Sequence, residues 1–117
     1  MRLQHLAALA LALTATAASA HHSPVMFDTS KQITLDGTVR QFQFANPHCY
    51  IQLVVDGTEW SLEMGAPVYL AKRGWKPSTL KPGDKIRVTA SPLRSGANGG
   101  LVLNVVSLEG KPIGAMR

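Results

Sequence analysis

The chain is poor in cysteine: Cys49 is the only one among 117 residues. A single cysteine excludes an internal disulfide and a cysteine-based zinc site, so a hydrophobic core must hold the fold. Cys49 alternates with Ile51 and Leu53 on one face of a predicted strand. An unpaired cysteine in such a position behaves as a small hydrophobic residue. We therefore expect a buried, structural thiol.

The sequence also lacks the residue sets of common enzyme classes. His48 and Cys49 are adjacent on a strand pattern, so they point to opposite faces and cannot form a base–nucleophile pair. Glu59 and Glu63 lie on the outer face of another predicted strand, about 13 Å apart at strand rise. That separation is too large for the paired carboxylates of glycoside hydrolysis, and we interpret both as solvating charges. These absences predict a protein that is not an enzyme.

Acidic residues are few: 7 Asp and Glu stand against 12 Lys and Arg, a formal net charge of +5. Seven of the basic residues lie within 72–94, where Asp84 is the only acid. Such a basic patch favours an anionic partner, such as lipid headgroups, a polyanion or an acidic protein. The same charges also suit a solvated face that keeps a protein soluble. Both interpretations stay open.

No apolar run is long enough to span a bilayer. The longest, residues 6–18, has about 13 residues, where about 20 are needed. With Arg2 before it and Ala18-Ser19-Ala20 after it, the run has the form of a secretory signal peptide covering residues 1–20. We predict cleavage near Ala20/His21 and a periplasmic or secreted protein. A retained membrane anchor is the alternative.

Periodicity divides the rest of the chain into an N-terminal arm at 21–32, a compact body at 33–109 and a C-terminal tail at 110–117. Alternating apolar residues predict five strands in the body, and Asp56-Gly57 predicts a two-residue hairpin between the second and third. The predicted strands are 33–40 with a phase slip before Phe42, 49–55, 58–64, 85–90 and 101–108, and the predicted helix lies within 65–74. This order predicts an all-β fold with one small helix: a five-stranded OB-like Greek-key barrel with the helix between strands 3 and 4.

Several short motifs add a resemblance. They are His21-His22-Ser23 after the predicted cleavage site, Gly37-Thr38-Val39, Asn46-Pro47-His48, Arg73-Gly74-Trp75 and Leu80-Lys81-Pro82-Gly83-Asp84. In these motifs the chain resembles a family of short exported bacterial proteins of unknown function with an OB-like domain. The resemblance covers nearly all of the chain after the leader. It implies export and the barrel fold, and it implies no catalytic residue.

Three histidines follow the leader: His21, His22 and His48. Neutral imidazole is the commonest metal ligand. If cleavage makes His21 the first residue, its amine and ring nitrogen can chelate one ion. A second imidazole would complete a T-shaped site that resembles the histidine brace of secreted copper proteins, and such nitrogen-rich tetragonal geometry favours Cu(II). We predict His48 as the second ligand, with His22 as the alternative.

Other interpretations of these histidines stay open. Cleavage after Ala18 would place His21 third in the chain, which resembles the amino-terminal Cu(II)/Ni(II) motif, and Met26 could add a thioether for Cu(I). Against a metal, terminal histidines can be incidental, and His48 can cap the turn at Asn46-Pro47. Nucleic acid, a ligand of many OB-folds, is disfavoured by export and by aromatic residues committed to the core.

The combined pattern favours a small exported binding protein that holds copper through its N-terminal histidines and His48. The alternative is a non-enzymatic interaction or envelope adaptor whose basic patch at 72–94 meets an anionic or protein partner. The two differ in where the contact is made, because the first depends on imidazoles and the second on lysines and arginines.

Overall fold

The structure is a computed structural model that describes residues 24–116. Its elements are a 3₁₀ turn at Pro24–Met26, β1 at Ile33–Gln43, β2 at Tyr50–Val55, β3 at Thr58–Glu63, α1 at Pro67–Ala71, β4 at Lys85–Pro92 and β5 at Gly99–Ser107. The predicted all-β class, with one short helix between strands 3 and 4, is confirmed. No helix in this part of the chain is long and apolar enough to cross a membrane.

The five strands close into a barrel in the order β1-β2-β3-β5-β4. Neighbouring strands are antiparallel except β3 and β5, which run parallel over residues 61–63 and 99–101. Helix α1 lies in the long connection between β3 and β4. This arrangement is consistent with the predicted OB-like fold.

β1 serves two neighbouring strands because it is long and bends. Its residues 33–38 pair with β4, and its residues 38–43 pair with β2. The register shifts between Val39 and Gln41, close to the phase slip from which a bulge was predicted. A bulge bends a strand and increases its twist, so β1 can turn a corner of the barrel.

The β2–β3 hairpin has the two-residue turn that Asp56-Gly57 predicts. Both residues have positive φ, 48° and 78°, as a type I′ turn requires. The turn pairs Val55 with Thr58 and, at the other end of the hairpin, Tyr50 with Glu63. The register along the whole hairpin therefore follows from the turn.

The barrel interior is filled by the inward-facing apolar residues. Ile51, Leu53 and Leu62 are fully buried, as their alternation predicts. Cys49 belongs to the same core cluster and is inaccessible to solvent, so the expectation of a buried thiol is confirmed. Burial raises the pKa of the Cys49 thiol, which keeps it in the unreactive, protonated form.

Helix α1 covers Pro67–Ala71, only part of the range 65–74 within which the sequence predicted it. It ends because Gly74, with a φ of 87°, takes a left-handed conformation. The Gly74 N–H donates to Ala71 O and the Trp75 N–H donates to Leu70 O, which are the paired bonds of a Schellman motif. The motif folds Trp75 back into the core, where its Nε1–H donates to Ala115 O at 2.8 Å.

The fifth strand begins earlier than predicted. The sequence predicts its start at residue 101, yet β5 already begins at Gly99, and both Gly99 and Gly100 are buried. A Cβ on Gly99 would lie 3.0 Å from Ser61 O, and one on Gly100 would lie 2.7 Å from Ser91 O. These two glycines therefore allow neighbouring backbones to approach closely where the barrel closes.

The N-terminal arm lies along the β4–β5 connection. Phe27 is buried and forms an isolated β-bridge with Leu93. The Arg94 N–H donates to Met26 O at 2.8 Å. Val25, in contrast, is exposed. Phe27 is therefore the residue that anchors the arm to the barrel.

Candidate binding site on the outer face of the barrel

The outer face of β1, β2 and β3 carries a row of polar side chains. The alternation that buries Ile51 and Leu53 turns the residues between and beside them outward. The strand register aligns Gln43 with Tyr50, and Tyr50 with Glu63. These three side chains therefore lie side by side across the sheet.

His48 joins this row from the loop before β2. The Cys49 N–H donates to Gly65 O, and the Met64 N–H donates to Cys49 O, so the backbone ladder continues past the strand ends. His48 therefore lies beside Glu63, and its Nδ1 is 2.7 Å from Glu63 Oε1. The imidazole remains partly exposed.

Glu63 is buried, with 9% of its side chain exposed, so its interpretation as a solvating charge was wrong. Glu59 was interpreted in the same way and is indeed exposed, with Arg40 at 2.7 Å. Both carboxylates lie on the outer face of β3. They differ because Glu63 lies in a pocket that also includes residues of the arm and of the β4–β5 connection.

The contact of Nδ1 with Glu63 Oε1 leaves the other imidazole nitrogen of His48, Nε2, for another partner. A carboxylate that accepts from Nδ1–H holds the neutral ring in the tautomer whose Nε2 carries the lone pair. Carboxylate–histidine pairs of this kind orient metal-binding imidazoles and raise their basicity. His48 can therefore bind a metal ion through Nε2, with Glu63 orienting the ring.

The remaining predicted ligands, His21 and His22, lie outside the described residues. Among residues 24–116, no three His, Cys, Asp or Glu side chains come together in a group that could hold a metal ion. The structure thus brings together His48 and Glu63, and the pairing of His48 with the N-terminal histidines stays a prediction.

A pocket of about 370 Å³ lies over the polar row. Its floor includes Gln43, Tyr50 and Glu63, and its walls include Phe27 from the arm and Leu93 from the β4–β5 connection. The volume falls within the range of about 300–1,000 Å³ that is typical of small-molecule sites. The pocket is therefore large enough for a small organic ligand.

Two features organise the pocket floor. The Gln52 Nε2 donates to Gln43 Oε1 at 2.8 Å, which orients both amides. Burial, and then the charge of Glu63, raise the pKa of Tyr50. At neutral pH the Tyr50 hydroxyl is consequently protonated and can both donate and accept hydrogen bonds.

The basic patch at 72–94 is partly used within the protein. The Arg87 guanidinium donates two hydrogen bonds to the Asp36 carboxylate, at 2.7 and 2.8 Å, and lowers the pKa of Asp36. The Arg94 Nε donates to Val25 O at 3.0 Å. The remaining lysines of the patch, Lys72, Lys76, Lys81 and Lys85, are exposed. Arg87 and Arg94 of the predicted patch therefore form hydrogen bonds within this chain.

The partnership of His48 and Glu63 was not predicted, although the sequence contains a signal for it. A two-residue turn at Asp56-Gly57 places Tyr50 opposite Glu63. His48 lies on the same face as Tyr50, two residues earlier, and must therefore be a diagonal neighbour of Glu63. The pocket walls, in contrast, come from residues far away in the sequence and have no comparable local signal.

Comparison with known proteins adds one match. A family model described as a family of unknown function (DUF6152) covers residues 8–104, which include the arm, β1 to β4 and most of β5. No curated protein matches the chain. Because the family description names no ligand or reaction, the function has to be argued from the site.

Proposed function

The chain belongs to a family of unknown function, DUF6152, and we propose that it is a small exported binding protein that holds one copper ion through His48, His21 and His22. The observation that carries the proposal is the 2.7 Å contact between His48 Nδ1 and Oε1 of the buried Glu63 carboxylate. It leaves Nε2 as the ligand atom and supplies the orienting carboxylate of many metal-binding histidines.

The length of the chain allows the N-terminal histidines to reach this site. Met26 and Glu63 line the same pocket, so the arm passes close to the partner of His48. His21 is five residues before Met26 in the sequence, a distance of up to about 17 Å in an extended chain. That reach is comparable to the dimensions of a small-molecule pocket, which supports His21 and His22 as partners of His48.

The predicted export supports the same proposal, because cleavage of a leader would change the groups at the N-terminus. Cleavage near Ala20/His21 would give a free amine on the residue that also carries an imidazole. Together with His48 Nε2, these groups make a nitrogen-rich, tetragonal ligand set, which suits Cu(II). Binding rather than catalysis is proposed because the Cys49 thiol is buried in the core and His48 faces the other side of the chain, toward Glu63.

The test is Cu(II) titration of copper-free protein recovered from the periplasm, whose intact mass also gives the N-terminus. We expect one equivalent to bind, with affinity lost in His21→Ala and His48→Ala and reduced on acidification as imidazoles take up protons. Glu63→Gln should weaken binding by about 10–100-fold, because the imidazole loses its orienting carboxylate.

Glu59→Gln is the matched control, since it removes an exposed carboxylate from the same face of β3. Its affinity for Cu(II) should equal that of the unmodified protein. Unchanged affinity in both His21→Ala and His48→Ala would contradict the proposal.

The competing function is an adaptor that uses the basic patch at 72–94. Its support is that exposed Lys72 and Lys76 follow two exposed side chains of α1, Val68 and Tyr69. Cations beside apolar side chains suit an anionic, partly apolar partner. In that case the histidines are incidental, so the His21→Ala and His48→Ala titrations separate the two functions.

A further inference from the structure

The pocket on the outer face of β1, β2 and β3 has features that the copper site does not use. It is formed where the arm meets the β4–β5 connection, and Arg94 N–H and Arg94 Nε both donate to backbone oxygens of the arm, on Met26 and Val25. These bonds and the buried ring of Phe27 hold the wall in place. Backbone contacts as well as side-chain contacts therefore fix the shape of the pocket.

The pocket floor offers hydrogen-bond donors and acceptors side by side. Because Gln43 Oε1 accepts from Gln52 Nε2, the Gln43 amide nitrogen and the Gln52 amide oxygen remain for a ligand. Oε1 of the Glu63 carboxylate is in contact with His48 Nδ1, and the carboxylate has further acceptor capacity. Hydroxyl groups both donate and accept, so a ligand with several hydroxyls can satisfy such a mixed set.

The pocket walls are apolar. They include Met26 and Phe27 of the arm and Leu93 of the β4–β5 connection, with the Tyr50 ring at the floor. An aromatic ring next to amide and carboxylate groups suits a ligand with an apolar face and a polar rim. A pyranose ring has this character, because its C–H groups form faces and its hydroxyls form the edge.

The charge of the pocket limits the chemical classes of ligand that it can bind. Among the described residues that line it, Glu63 is the one that bears a charge, and none is Lys or Arg. A phosphate or carboxylate ligand would meet a buried carboxylate and no counter-charge, which is unfavourable. Sugar phosphates, nucleotides and acidic peptides are therefore disfavoured relative to an uncharged ligand.

We infer that this pocket binds a neutral saccharide, whose hydroxyls bond to the Gln43–Gln52 amide pair and Glu63 while one ring face packs on Tyr50. The inferred saccharide site shares Glu63 with the proposed metal site, whereas Gln43, Gln52 and Tyr50 take no part in copper binding, so variants at these three residues distinguish the two. The pocket has room for one or two sugar units at a volume of about 370 Å³.

The test starts from an array of neutral glycans probed with protein freed of metal by EDTA. Saturation-transfer NMR then measures the affinity for the best glycan. Gln52→Leu and Tyr50→Ala should each weaken binding by about tenfold or more, since each removes an interaction of about 1.4 kcal/mol. Tyr69→Ala is the matched control, because Tyr69 is an exposed tyrosine on α1, and it should bind like the unmodified protein.

A second set of variants separates this inference from the copper proposal. Gln52→Leu should retain its Cu(II) affinity, and His21→Ala should retain its saccharide affinity. Amide chemical shifts of each variant establish that the barrel is folded. If Gln52→Leu unfolds, Gln52→Glu serves instead, since it keeps the shape of the side chain and removes the Nε2 donor that orients the Gln43 amide, which should weaken binding.

Three results would overturn the inference. One is an array in which no neutral glycan binds. Another is glycan binding that Gln52→Leu and Tyr50→Ala leave unchanged, which would place the glycan elsewhere. The third is binding of spermidine that Glu63→Gln abolishes, with no competition from any glycan, which would make the pocket a site for organic cations.

Discussion

Removing either member of the His48–Glu63 pair should destabilise the barrel, and removing both should destabilise it by less than the sum of the two single effects, because the interaction is lost only once. The perturbation is a double-mutant cycle of His48→Ala, Glu63→Ala and the double variant. The Arg40–Glu59 pair provides a matched cycle on the same sheet, because its N···O distance is also 2.7 Å. The two pairs share a Glu partner and an N···O distance, and they differ in burial and in the nitrogen group, a guanidinium in one and an imidazole in the other.

The expected coupling free energy of each pair follows from how deeply the pair is buried. The Glu63 side chain is 9% exposed and that of His48 is 31% exposed. A hydrogen bond to a charged group contributes about 1.5–3 kcal/mol, and breaking a fully buried pair costs about 3–5 kcal/mol. Because water reaches His48, we expect a coupling free energy of about 2 kcal/mol. The Arg40 and Glu59 side chains are about half exposed, at 51% and 46%, and their coupling should be about 0.2–1 kcal/mol.

Urea unfolding followed by fluorescence of Trp60 and Trp75 measures both cycles. His48→Ala alone should lower the free energy of unfolding by about 2 kcal/mol, equivalent to a decrease in Tm of about 8–16 °C for a domain of this size. The m-value should stay the same, because the surface exposed on unfolding hardly changes. Equal coupling energies in the two cycles would refute the reasoning that burial strengthens the His48–Glu63 pair.

Two further predictions concern the backbone and pH. Gly37→Ala should destabilise the protein by about 1–3 kcal/mol in thermal unfolding, because the added Cβ would lie 2.5 Å from Val54 O. Gly65→Ala is the control, since the space around Gly65 is open, and it should change the free energy of unfolding by less than about 0.5 kcal/mol. Similar effects of the two substitutions would contradict this account. The raised pKa of Tyr50 comes first from burial and then from Glu63, so folding favours the neutral phenol, and this contribution to stability should be lost as the pH rises above about 10. In a titration at 295 nm, Glu63→Gln should lower the pKa of Tyr50, and an unchanged pKa would show that the Glu63 charge does not act on this phenol.

Much of the barrel could be predicted because its signals are local. The apolar positions of β2 and β3 alternate, the turn residues Asp56-Gly57 require positive φ, and the phase slip near Phe42 lies close to the register shift between Val39 and Gln41. Each of these patterns involves residues close together in the sequence, where pleating and turn geometry leave few alternatives.

The errors arose where the fold brings distant segments together. The fifth strand was predicted to begin only at residue 101, whereas Gly99 and Gly100 belong to β5 and are buried where it approaches β3 and β4. Glycine in a sequence indicates conformational freedom or close approach, and only the neighbouring strands show which of the two applies.

By itself, the sequence determined which side chains of each strand face the core and which face outward, because successive side chains of a strand point to opposite sides. It also determined that Cys49 is buried and that His48 lies on the same side as Tyr50. Only the tertiary structure decided that Glu63 is buried while Glu59 stays in solvent. That outcome depends on the contact between the arm and the β4–β5 connection, where Phe27 pairs with Leu93. These residues are far apart in the sequence, so the alternation of apolar and polar residues within a single strand does not indicate their contact.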